Sequence, residues 1–76
     1  MKAIEFPEAN VKYAENQDEY QTLPAHKTEH GVVICCFELD EKELEQVKES
    51  GKIYLQLHTF NHPLQPIGLT CLNPFE

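Results

Sequence analysis

The sequence predicts an α+β fold: a small mixed β-sheet of three to five strands with one short α-helix packed on one face. Three observations carry this reading. The unbroken apolar run Val32-Val33-Ile34-Cys35-Cys36-Phe37 has the length and composition of a strand rather than a helix. Helix start and stop signals then follow between Asp40 and Gly51. Beyond them, residues 53–60 alternate with a period of two, the period of a strand.

The N-terminal part, residues 1–30, is the less regular. Residues 2–6 and 11–13 are short segments expected to pair as edge strands, separated by the turn Pro7-Glu8-Ala9-Asn10. Asn16-Gln17-Asp18-Glu19 reads as loop. Tyr20-Gln21-Thr22-Leu23 reads as a further short strand closed by Pro24, and residues 26–30 as a polar connection reset by Gly31.

Residues 31–72 read as a strand-helix-strand-strand core, so that 1–76 make one small domain. The run 32–37 is apolar on both faces, as a central strand is. Asp40 suits the N-cap, and Glu43 three residues on completes a capping box. Leu39 and Leu44 stand at hydrophobic-staple spacing. Glu41 and Glu43 in the first turn and Lys48 in the last suit the helix dipole, and Gly51 suits the left-handed position past the end. The expected helix is Glu41–Ser50, anchored on the sheet by Leu44 and Val47.

In the stretch 53–60, Ile53, Leu55, Leu57 and Thr59 share one face, and Tyr54, Gln56, His58 and Phe60 the other. Asn61-His62-Pro63-Leu64-Gln65-Pro66 reads as a turn or short loop before a last strand containing Ile67, Leu69 and Cys71. The two central strands are separated by about a dozen residues, near the lower limit for a right-handed parallel crossover. The last two form an antiparallel hairpin.

Composition narrows the function. A chain of 76 residues is expected to bury about 60–65% of its unfolded surface, so its core is small. With 41% hydrophobic and 25% charged residues it reads as globular. No apolar run reaches membrane-spanning length, and Glu5, Pro7 and Glu8 break any leader-like stretch, so a cytoplasmic, non-membrane protein is expected. Three cysteines cannot close a disulfide framework, and they read as reduced packing residues. The net charge is −7, and all six basic residues are lysines. A chain without arginine is poorly equipped for direct nucleic-acid binding.

Chemistry-bearing patterns are sparse. His58-x-x-x-His62 with Cys35 or Cys36 and Cys71 could supply soft metal ligands, but no paired knuckle such as Cys-x-x-Cys is present. His26-x-x-x-His30 has no cysteine companion. Cys35 and Cys36 lie in the most apolar run, where burial raises a thiol pKa rather than activating it. There is no glycine-rich phosphate loop and no Gly-x-Ser-x-Gly elbow, and the acidic residues between Asp40 and Glu49 have the spacing of a solvated helix face. No catalytic residue, metal or cofactor is expected, and the chain does not read as an enzyme.

The segments Phe37-Glu38-Leu39, Gly51-Lys52-Ile53-Tyr54 and Leu57-His58-Thr59-Phe60-Asn61-His62-Pro63-Leu64-Gln65-Pro66 resemble a family of short uncharacterised proteins of bacteria and their phages. In that family an aromatic-rich strand ending in Lys/Glu-Leu leads to a short helix. Gly-Lys/Arg-Ile/Leu-aromatic, Leu-Thr-Phe and Pro-Leu-Gln-Pro then follow. The resemblance covers residues 32–69, half the chain. Cys36 departs from a frequent Trp, and the helix is acidic where the family's is often basic, which argues against a shared charged ligand there. The resemblance implies a phage or prophage context and no particular activity.

The leading expectation is therefore a small acidic protein that acts by protein–protein contact, as inhibitor, adaptor or assembly component. The candidate partner-binding residues are Tyr54, Gln56, His58 and Phe60, because Tyr and Phe give large contact area for little entropy. A homo-oligomer formed through an edge strand is a further route. The alternatives are a metal- or small-ligand-binding domain using His58, His62 and the cysteines, and an acidic mimic of nucleic acid.

Overall fold

The N-terminal segments form strands because each finds a partner far along the chain. In the computed structural model, which describes residues 1–14 and 22–76, Lys2–Ile4 (β1) runs antiparallel to Cys36–Glu38 (β5). Lys2 faces Glu38, Ala3 faces Phe37 and Ile4 faces Cys36. Opposite charges at the first pair and apolar side chains at the next two favour this register.

A second sheet has the order β2-β3-β4, with Val11–Tyr13 (β2), Leu23–Lys27 (β3) and Val33–Ile34 (β4) all antiparallel to their neighbours. Side chains and turns complete it. The Asn10 amide mimics a further ladder position: Lys27 N–H donates to its Oδ1 at 2.8 Å, and its Nδ2 donates to Lys27 O at 3.1 Å. Asn10 N–H also donates to Ala25 O at 2.8 Å. Thr28 closes the connection to β4, its oxygens accepting from Gly31 and Val32 N–H, while Gly31 takes the left-handed φ of 84° that the tight return needs. The core is slight. Among the described residues only Pro24 and Ala25 are buried, with Phe6, His26 and Phe75 half-buried around them.

The helix Glu41–Ser50 (α1) has the bounds that the sequence signals specify. Glu43 N–H donates to Asp40 Oδ1 at 2.8 Å, and Asp40 N–H to Glu43 Oε1 at 3.0 Å, which makes the capping box. Gly51 ends it at φ 64°, its N–H donating to Val47 O. The other Glu43 oxygen holds the α-amino group of Met1, which ties the helix start to the beginning of β1.

Five short strands and one helix stand among the described residues, so the α+β class holds, while finer expectations are corrected. Residues 2–6 do not pair with 11–13, since β1 pairs with β5 and β2 with β3. The sheets are wholly antiparallel rather than mixed, because β5 takes β1 as its neighbour and the chain beyond the helix pairs with neither sheet. The apolar run 32–37 is not one central strand. It serves both sheets, β4 in one and β5 in the other, with Cys35 at the crossing, so both its faces are apolar for a different reason. Pro24 does not close a strand but lies inside β3. It is tolerated there because β4 reaches only His26 and Lys27, leaving β3 an edge at Pro24 on that side. Asn16-Gln17-Asp18-Glu19, Tyr20 and Gln21 lie outside the described residues, and His26 and Lys27 belong to the strand rather than to a polar connection. Leu44 is not a buried anchor: the helix buries no residue, Val47 is half-buried and Leu44 is 55% exposed.

The largest departure is the C-terminal part. Residues 51–76 contain no strand, although 53–60 and the stretch from Ile67 to Cys71 both carry strand patterns. A turn does form, but it starts at Thr59, inside the expected strand, rather than within residues 61–66. His62 N–H donates to Thr59 O at 3.0 Å, and Phe60 and Asn61 both take positive φ, 53° and 67°, as the two central residues of a tight hairpin turn do. The ladder that would flank it is absent. In that hairpin register Pro66 falls opposite Leu55 at a hydrogen-bonded position, where it has no N–H to donate, whereas Pro63 falls opposite His58 at a non-hydrogen-bonded one. A two-stranded hairpin without a covering layer is in any case marginal in water.

Candidate functional site

The C-terminal arm is held at both ends and open between them. At its start stands α1. At its end Phe75 packs against Phe6 (ring centroids 6.0 Å) and edge-on against His26 (5.1 Å). His26 is itself fixed by its Nδ1, 2.6 Å from Glu8 O. The carbonyl can only accept, so Nδ1 carries the proton.

All four sequence-predicted residues, Tyr54, Gln56, His58 and Phe60, are exposed, and the N-terminal segments do not cover them. No strand joins them into one sheet face. Alternation nevertheless survives as a difference in exposure. Tyr54 and Phe60 are 85% and 80% exposed, Ile53, Leu55 and Leu57 lie near half, and Thr59 is half-buried. Phe60 sits at the tip in a left-handed conformation that a bulky side chain adopts only at a cost of about 1–2 kcal/mol.

Two features were not singled out from the sequence, one of this arm and one of the whole chain. Residues 53–75 contain no Asp, Glu, Lys or Arg, a run of 23 uncharged positions in a chain of net charge −7. That signal was readable from the sequence alone. The other required coordinates. The chain exposes 7375 Å², against about 4,800 Å² for a folded monomer of its 8.8 kDa, a surplus of about 2,600 Å². It therefore buries about 42% of its unfolded surface rather than the 60–65% usual at this size. Its radius of gyration is 13.9 Å, where about 11.4 Å is normal for 76 residues. Leu64, Leu69 and Leu72 in the returning arm are each at least 65% exposed and contribute to the surplus.

The groups capable of other chemistry are dispersed. Among the described residues no three His, Cys, Asp or Glu side chains converge on a point that could hold a metal ion. Cys35 and Cys36 are half-buried and Cys71 is exposed, all with free thiols. Burial pushes the Cys35 thiol up, away from the thiolate a nucleophile requires. The cavities are shallow: one of about 380 Å³ lies along Glu41, Lys42, Leu44 and Glu45, and one of about 530 Å³ lies beside the Phe6 turn and β2. Among the described residues no helix is long and apolar enough to cross a membrane. Comparison with protein-family models, curated proteins and solved structures finds no match to this chain.

Proposed function

We propose that this protein acts by protein–protein contact through its uncharged C-terminal arm, with Tyr54, Gln56, His58 and Phe60 as the foremost contact residues. The supporting observation is that the 23-residue run without formal charge also exposes large apolar side chains, Tyr54, Phe60, Leu64, Leu69 and Leu72 each by at least 65%. Exposed apolar side chains gathered in one uncharged segment suit an interaction site, and Tyr54 and Phe60 supply aromatic anchors of the kind that dominate contact energies. We read its setting as the cytosol of a bacterium or its phage, where the three free thiols stay reduced. The role is that of an accessory protein (inhibitor, adaptor or assembly component). Direct nucleic-acid binding is not part of this reading, since the chain has no arginine and the arm no cation.

Affinity capture from bacterial lysate with two baits tests it. Wild-type chain should retain a specific protein, including a copy of itself, that a Tyr54→Ser/Phe60→Asn bait loses. Equal retention by both baits, or none by either, refutes the arm as the contact surface.

A further inference from the structure

We draw no further inference here: the strongest candidate, the uncharged C-terminal arm with its exposed Tyr54, Phe60, Leu64, Leu69 and Leu72, belongs to the contact site already described, and nothing in the structure shows what covers it.

Discussion

The Phe75 ring meets the His26 imidazole edge-on at 5.1 Å and so fastens the end of the chain to the middle of β3. Phe6 completes the cluster at 6.0 Å from Phe75. With so few residues buried, this contact provides much of what separates a loose arm from a closed one. Phe75→Ala should cost about 1–3 kcal/mol, combining partial side-chain burial with the loss of an aromatic pair. Urea unfolding measures it. A shift within error would place the stability of this region elsewhere.

Side chains on the helix should matter in the reverse of the order that apolar spacing implies. From the staple spacing alone, Leu44→Ala is expected to cost about 2–4 kcal/mol. Leu44 is 55% exposed and Ala is the better helix former, so the structure predicts a loss below about 0.5 kcal/mol. Asp40→Ala should cost about 1 kcal/mol, since it removes half of the capping box. Thermal melts of the two variants rank them. A larger loss at Leu44 would mean that α1 is packed on a surface after all.

Gly51 and Gly68 form a matched pair. Neither has a neighbour within 4 Å of where a Cβ would stand, but only Gly51 has positive φ, 64°. Gly51→Ala should therefore destabilise by about 1 kcal/mol through backbone strain alone and fray the end of the helix. Gly68→Ala should leave the helix signal unchanged. Circular dichroism of both variants tests the left-handed cap, which equal spectra would contradict.

The thiols should differ in reactivity. Burial raises the Cys35 pKa, so at neutral pH a smaller fraction is thiolate, and access is restricted as well. Cys71 is exposed. Iodoacetamide should modify Cys71 first and Cys35 more slowly, with the gap narrowing as pH rises through the range where Cys35 ionises. Time-resolved peptide mass spectrometry reads the order. Preferential labelling of Cys35 at neutral pH would show an activated thiol.

What the sequence determined by itself is what neighbouring residues can enforce. Asp40, Glu43, Gly51 and the charges between them satisfy the helix ends within a few residues, so Glu41–Ser50 was legible to its bounds. The short strands Lys2–Ile4 and Val11–Tyr13 were legible for similar local reasons, whereas the exposure of Tyr54, Gln56, His58 and Phe60 depended on whether distant segments cover them. Tertiary structure decided everything that needs a distant partner. Alternation marks a segment as able to be a strand, but a strand exists only where another chain segment offers a complementary row of N–H and C=O groups. β1 found that row in β5, and β3 found it on both sides, whereas residues 53–72 found none among the described residues. Pro66 had already removed a donor from the one ladder the arm could have made locally, whereas Pro63 falls at a non-hydrogen-bonded position of it. Hence the same period-2 pattern stayed largely exposed, Tyr54 and Phe60 most of all.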